Sequence, residues 1–571
     1  MKYIDSNTGS ISRPFWKSTL IYIILLSVIG IVSGIIGGFY PISSFSDFIE
    51  KFSIDRFSSS LYSTIQLFLL HGSFDKESMN CFIEVSRWTI FAAIVLLSYD
   101  VLSTLFREQI KFLKIFCYRD HIIICGLNKI TINLVEKHTK NQIVVLAEET
   151  NKYAETLKAK NVKLLIGDFT DEYFWWEANL KRASKLYAII DYDKINVKIA
   201  HTVFSYLKKS KSKNDTLKCF VLIKDRELKT ILEESDPFKS KIDFFDTVLF
   251  NVYETGTKYG IAMNIDKILP AKMTTPPEIL LVGITEKTKM TLLNLVHCLT
   301  MQRDPLIFAI VENDAEKIQW LEKQCEKLHL KEFADIKILN NNLEKICSEK
   351  TFNSILVCAE NQIDAIKKSI EIRYLLGQNT PNILVFCNDA DTFNMVLKEE
   401  LEKKKIFPII LFEKTADYTF KLDSGKESQC IEEMAEDIHN SWRKRNKDGS
   451  FQKNDTYDTL SEHLKQTNRN QSIDNYLRAF IATGKRFDEL GKNSLIDMGK
   501  SEKETLAMIE HRRWMIEKYD NDWRYSEIRD DNFKRHIDLR TWEQLSEADK
   551  DKDEKAINLM INFINNQKNG N

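Results

Sequence analysis

Residues 20–40 read LIYIILLSVIGIVSGIIGGFY, 21 positions without a charged side chain. A helix rising 1.5 Å per residue over that length crosses the roughly 30 Å hydrocarbon core of a bilayer. Arg13 and Lys17 precede the run, and it closes on Phe-Tyr before Pro41 in place of a small-residue cleavage site. A retained anchor is therefore expected rather than a signal peptide. A second apolar run, residues 88–106, is interrupted by Asp100 and followed at once by Arg107, Lys111, Lys114 and Arg119. Basic flanks before the first run and after the second place both on the cytoplasmic side. The expectation is a two-span, multi-pass inner-membrane region over residues 1–110 with an external loop at 41–87 and both termini cytoplasmic. Within that loop, residues 58–73 are apolar but too short to span, which suits an interfacial or re-entrant helix. Gly30, Gly34 and Gly38 form a small-residue stripe on the first helix. Such stripes let helices approach closely, here either between subunits or against the second helix of the same chain.

Lys and Arg total 81 and Asp and Glu 82, for a net charge of −1, so no basic field draws the protein to a nucleic-acid duplex. The ten cysteines include no CxxC pair and no histidine at metal spacing, so no metal site is expected. Most lie in apolar, strand-like runs and read as reduced core thiols. There is no GxSxG, P-loop or HExxH, and a non-enzyme is expected.

From residue 121 short β-rich runs alternate with helical periodicity: HIIICGLNKITINLVEKHTKNQIVVLAEET (121–150), NVKLLIGDFTD (161–171), a stretch at 185–204 and LKCFVLI (217–223). Alternation of this kind implies a parallel sheet covered by helices on both faces. A second copy starts at Glu278 (EILLVGITEKTKMTLLNLVHCL) and repeats the order at a spacing of about 157 residues, an internal duplication. Pro276 and Pro277 mark the linker between copies. The pieces HIIICGL, GDFTD (167–171) and DKINVKIA (193–200) resemble the RCK/TrkA-N regulatory domains of potassium channels and transporters. That resemblance implies a Rossmann-like fold over 119–270, a degenerate second copy over 277–425, and assembly as a homo-oligomer, dimer or tetramer. It also implies a cofactor site at Gly126, Asn128, Glu148, Gly167 and Asp168. The family's G-x-G-x-x-G here reads Gly126, Asn128, Thr131, and in the second copy Gly283, Thr285, Thr288. Loss of the glycine that lets backbone touch a pyrophosphate argues against NAD(H).

Near the C-terminus, residues 507–542 carry three Trp, two His and a dense set of Arg. Indoles offer stacking surfaces, guanidinium groups bind phosphate bidentately, and acidic residues orient them or accept from an amine. A pocket for a flat, polar, nucleotide-like ligand is expected at Glu510, His511, Arg512, Arg513, Trp514, Trp523, Arg524, Tyr525, Arg529, Asp530, Asp531, His536 and Trp542. The segments AEDIHNSW (435–442), TNRNQS (467–472), EHRRWM (510–515), WRY (523–525) and RDD (529–531) resemble the RyR domain, the repeat of ryanodine receptors, over about 430–571. The fold expectation is thus an α-helical two-span membrane segment, tandem α/β Rossmann-like domains and a small, mainly α C-terminal domain. The expected function is that of a membrane-anchored sensor, a ligand-gated channel or membrane effector. By analogy of domain combination, bacterial stress or antiphage signalling is the setting. Two alternatives stay open: a non-conducting regulatory or scaffold subunit of a transporter, and a membrane-anchored dinucleotide-binding protein.

Overall fold

In the computed structural model, the described residues are 13–39, 49–50, 52–68, 80–105, 114–160, 162–210, 216–233, 235, 238, 243–271, 275–299, 306–311, 314–340, 343–377, 381–388, 397–420, 426–443, 456–486 and 499–566. They fall into two units, residues 1–117 and 118–571.

The first unit contains helices α1 (Arg13–Gly37), α2 (Ile54–Phe68) and α3 (Cys81–Leu105). The glycine stripe sets their packing. A Cβ added at Gly30 would lie 2.6 Å from Cγ1 of Ile90, and one at Gly34 would lie 2.8 Å from the Ser86 hydroxyl. Ser86 donates to the Gly30 carbonyl at 2.7 Å, and Asn80 donates to that of Gly37 at 2.9 Å. Gly38 meets Ser60 on α2. Within the chain, then, the stripe serves contact with α2 and α3. The opposite faces are apolar and bare: Leu25, Val28, Val32, Val95 and Leu97 are about half exposed. Among the described residues one helix segment, Cys81–Leu102, is long and apolar enough to cross a membrane, while the apolar part of α1, Ile21–Gly37, is shorter. This corrects the sequence reading at one point. The second apolar helix begins at Cys81 rather than Trp88, because Phe82, Ile83 and Val85 extend its apolar surface. A second full-length span is not established. Arg107, Lys111 and most of the loop outside α2 lie outside the described residues.

The second unit begins with a six-stranded parallel sheet: β1 (His121–Cys125), α4 (Lys129–Lys137), β2 (Ile143–Ala147), α5 (Tyr153–Ala159), β3 (Lys163–Ile166), α6 (Glu172–Glu177), β4 (Ala183–Ala188), α7 (Asp193–Ser210), β5 (Leu217–Leu222), α8 (Arg226–Glu233), β6 (Phe245–Phe250), then α9 (Val252–Met263) and α10 (Ile265–Ile268). The duplicate follows as β7 (Glu278–Val282), α11 (Glu286–Leu299), β8 (Leu306–Val311), α12 (Ala315–Lys327), β9 (Asp335–Asn340), α13 (Leu343–Glu349), β10 (Ser354–Val357), α14 (Gln362–Leu376), β11 (Asn382–Cys387), α15 (Lys398–Lys403), β12 (Ile406–Ile410) and α16 (Leu411–Phe420). Sheet orders are β3-β2-β1-β4-β5-β6 and β12-β11-β10-β7-β8-β9, the same topology twice. Strands such as β1, β2 and β6 are buried at every position, as expected where helices cover both faces.

The two copies are not separate beads. Phe412, Ala416 and Phe420 of α16 pack into the core of the first sheet, where the Phe420 ring meets those of Tyr187, Phe220 and Phe250. Reciprocally, Tyr259, Ile261 and Met263 of α9 belong to the core of the second. Gly256 and Gly260 permit the crossing, since a Cβ at Gly256 would lie 2.5 Å from the Leu411 carbonyl oxygen. The modules expected at 119–270 and 277–425 therefore share helices across their cores.

The C-terminal part is mainly helical: α17 (Lys426–Trp442), α18 (Glu462–Thr483), α19 (Lys500–Asp520), the short strands β13 (Arg524–Tyr525) and β14 (Arg535–His536), and α20 (Glu547–Asn566). Its apolar residues Ile473, Leu477, Ala507, Ile516, Trp542 and Met560 join the same cluster as Leu281, Leu292 and Leu384 of the second sheet and its helices.

Candidate functional site

The helical part meets both Rossmann-like modules around a cleft of about 720 Å³, within the usual range for small-molecule sites. One wall comes from α8 and α9 of the first module, with Arg226, Lys229, Glu254 and Lys258. Met290 and Leu293 of α11 give an apolar floor beside the Asn294 amide. The other walls are α18, α19, the β14 region and α20. On α18, Gln466, Thr467, Asn470, Gln471 and Asp474 recur at three- and four-residue spacing and so share one face.

Buried charge holds these walls together. Glu510 is sandwiched by Arg478 and Arg513, with Arg513 Nε 2.9 Å away. Arg513 also reaches Asp474 at 3.2 Å and Glu517 at 2.6 Å, and Lys258 of the first module reaches Asp474 at 3.2 Å. Burial alone would raise the Glu510 carboxyl, but Arg478 and Arg513 outweigh it and hold it below its usual range. Burial likewise opposes the charge of Arg513, yet Glu510, Asp474 and Glu517 keep its pKa well above normal. Asp520, at the end of α19, pairs with Arg226, which lies 3.8 Å from Glu254. Burial pushes Glu254 up, and Lys229 and Arg226 bring it down to about 2. The second module holds the same turn: the His329 and Tyr519 rings stack at 4.4 Å, and Lys327 lies 3.9 Å from Asp522. A further anchor joins the first sheet to α18. Burial raises Glu462, but Arg469 and Lys218 hold it at about 2, and its backbone N–H donates to Asp246.

Aromatic rings gather on one side of the cleft. Trp514 lies 4.8 Å from the His536 ring in an edge-on arrangement, and Trp523 lies 5.9 Å from His536. The Lys518 ammonium sits 4.4 Å from the Trp523 ring centroid and 5.8 Å from that of Trp514, a cation–π contact. Burial lowers its pKa, with Glu517 opposing.

Of the expected site residues, Glu510, His511, Arg513, Trp514, Arg529 and His536 line the cleft. The others do not, for identifiable reasons. Trp542 is core, with the Lys550 ammonium over its ring. Trp523 stands behind Lys518. Arg524 donates to the Trp523 carbonyl, and exposed Tyr525 carries the Arg540 guanidinium over its ring. Asp530 accepts from the backbone of Asn532 and Phe533, and Asp531 pairs with Arg529 at 2.8 Å. Arg512 is half-buried beside the Glu543 charge. The sequence reading omits Lys518, although its spacing of four from Trp514 and eight from Glu510 puts it on their side of the helix. Arg226, Lys229, Glu254, Lys258 and Asp474 carry no local signal, because their partners are remote in sequence.

The expected cofactor residues of the first module make contacts within the protein. Asn128 caps α4 by accepting from the Thr131 N–H, and its amide donates to the Ile189 carbonyl at 2.6 Å. Both polar atoms of the Asn128 side chain are thereby engaged by the protein's own backbone. Gly126, at φ +122°, is needed for this tight turn. Asp168 is spent on the Thr170 N–H at 2.7 Å, Gly167 packs on the Phe174 ring, and Glu148 is exposed. The duplicate repeats the device: Thr285 donates to the Cys358 carbonyl at 2.8 Å and Thr288 to that of Gly283. A smaller cavity of about 460 Å³ lies at that second turn, lined by Asp314, Glu360, Asp364 and Glu371 against Lys317, Lys367 and Lys368. It offers no surplus of positive charge. No group of three or more His, Cys, Asp or Glu among the described residues could hold a metal ion.

Residues 122–236 match the family model of the TrkA-N domain, and residues 493–567 match that of the RyR domain. The chain is thus similar to these two domain types over the matched residues. Solved structures similar to it include the GsuK channel bound to NAD (13% identity, TM-score 0.39, covering 74% of this chain and 86% of that one). GsuK bound to ADP is similar at 14% identity and TM-score 0.37, over 71% of this chain and 98% of that one. The GsuK RCK domain is similar at 13% identity and TM-score 0.35, over 56% of this chain and 79% of that one. No curated protein matches the sequence.

Proposed function

We propose that this chain is a membrane-anchored sensor whose cleft takes a small nucleotide-type molecule. The observation that carries the reading is the 720 Å³ cleft whose walls come from both Rossmann-like modules and the RyR-type helices together. A ligand there touches all three at once. If it fits one arrangement of the walls better than another, it shifts the population of that arrangement. The half-exposed apolar faces of α1 and α3 need an apolar partner, and a bilayer with both helices spanning supplies it. Rearrangement of the soluble unit then acts on the membrane helices, as a ligand-gated pore or membrane effector in a homo-oligomer, with the soluble unit in the cytoplasm. Bacterial stress or antiphage signalling is the setting of this reading. The cleft works by binding and not by turnover. The first turn of each module is structural, so NAD(H) is not the expected ligand.

The test is a thermal-shift screen of the full-length protein in detergent against mono-, di- and cyclic nucleotides, followed by ion flux in liposomes. The reading expects a hit that Trp514→Ala abolishes and that triggers flux. A hit unaffected by Trp514→Ala but lost in Asn128→Gly would move the sensor to the first module. Binding without flux would favour a regulatory subunit of a separate transporter.

A further inference from the structure

The charge of the cleft restricts which nucleotide-type molecules it can hold. Among the described lining residues there are seven Lys or Arg and nine Asp or Glu. Six of the seven cations already have a carboxylate. Arg226 pairs with Asp520, Lys229 with Glu254 at 2.8 Å, and Lys258 with Asp474 at 3.2 Å. Arg513 pairs with Glu510 at 2.9 Å, Arg529 with Asp531 at 2.8 Å, and Lys552 with Asp549 at 2.7 Å. Turning Arg226 towards a phosphate strips Asp520 of its partner, and turning Arg513 leaves Glu510 with Arg478 alone; both carboxylates are about 95% buried. A buried charge left without its partner is strongly destabilising.

Lys518 differs from the other six. Its ammonium lies over two indole faces with no carboxylate oxygen within 4 Å among the described residues. Moving it to an anion forfeits only a cation–π contact, worth about 0.5–2 kcal/mol, and uncovers Trp514 for stacking. The lining also carries the side-chain amides of Gln466 and Gln471 and the half-exposed Glu517 carboxylate, whose oxygens accept from amino groups.

Building on the sensor reading above, we infer that the cleft selects a flat, amino-bearing base or nucleoside carrying at most one anionic group. The base stacks at Trp514 beside His536, and Lys518 takes the single anion. Multiply charged ligands such as nucleoside triphosphates or cyclic oligonucleotides meet an excess of carboxylates and are rejected.

The full-length protein in detergent is titrated with adenosine and guanosine, each as nucleoside, 5′-monophosphate, diphosphate and triphosphate. The monophosphate of the preferred base should bind about tenfold more tightly than its nucleoside, one charge-assisted contact. Each further phosphate should weaken binding about threefold or more through like-charge repulsion. Lys518→Met should remove the monophosphate advantage while leaving nucleoside affinity within about threefold, and Lys518→Arg should retain the advantage. Affinity that rises from mono- to triphosphate overturns this inference and leaves the nucleotide-sensor reading standing. Binding of no member of either series overturns that reading and the inference with it.

Discussion

Replacing Glu510 by Gln tests whether the buried charge network, rather than apolar packing alone, holds the cleft. The substitution preserves shape and removes one negative charge between two guanidinium groups. The Glu510 side chain is 6% exposed, that of Arg478 4% and that of Arg513 10%. Breaking a buried pair by removing one partner costs about 3–5 kcal/mol. Because Asp474 and Glu517 stay near Arg513, the low end, about 3 kcal/mol, is expected. At roughly 2–4 °C per kcal/mol, the transition containing the C-terminal helices should fall by roughly 6–12 °C, read by differential scanning calorimetry of the full-length protein. Glu517→Gln is the matched control. Its side chain is 49% exposed, so its pair with Arg513 is worth about 1 kcal/mol or less. A drop below about 2 °C for Glu510→Gln, or equal drops for the two variants, would refute the assignment of the network as structural.

Three other outcomes follow from the same geometry. Phe420→Ala should destabilise the first module by about 3–5 kcal/mol, although Phe420 belongs to the second; protease cleavage within residues 121–250 would report it. Glu254 and Glu462 have folded-state values held near 2, below their ordinary 4.5. Their stabilisation is therefore present above about pH 4.5 and is lost as pH falls towards 2; thermal midpoints taken from pH 7 to 3 should decline below 4.5, and less so in Glu462→Gln. Gly30→Val, whose new carbons collide with Ile90, should lower the yield of folded protein, whereas Val28→Leu on the exposed face should not; size-exclusion profiles of detergent extracts separate the two.

Much of the fold is legible in the sequence because its causes are local. Apolar runs such as HIIIC and EILLV have few ways to be buried other than as central parallel strands, and their recurrence at 157 residues announces two sheets. The exchange of α9 and α16 between modules is not legible. Periodicity tells which face of a helix is apolar, not which core receives it, and Phe420 gives no sign that its neighbours are Tyr187 and Phe250. The candidate site divides in the same way. Composition marks the region around Trp514, but it does not distinguish an indole that lines a cleft, Trp514, from one that fills the core, Trp542. The guanidinium groups that read as phosphate ligands are for the most part occupied. Arg513 is committed to Glu510 and Asp474, the latter 39 positions earlier on α18, and such pairing depends on how α18 and α19 pack. Lys518 carries the opposite lesson, since a lysine is a common surface residue until two indoles are found beside it.

The most direct test of the three-walled cleft is hydrogen–deuterium exchange on the full-length protein, with and without the nucleotide that gives the largest thermal shift. The account predicts simultaneous protection in residues 226–258, 462–483 and 510–536. Protection confined to the turns at 126–131 or 283–288, with those three segments unchanged, would contradict it.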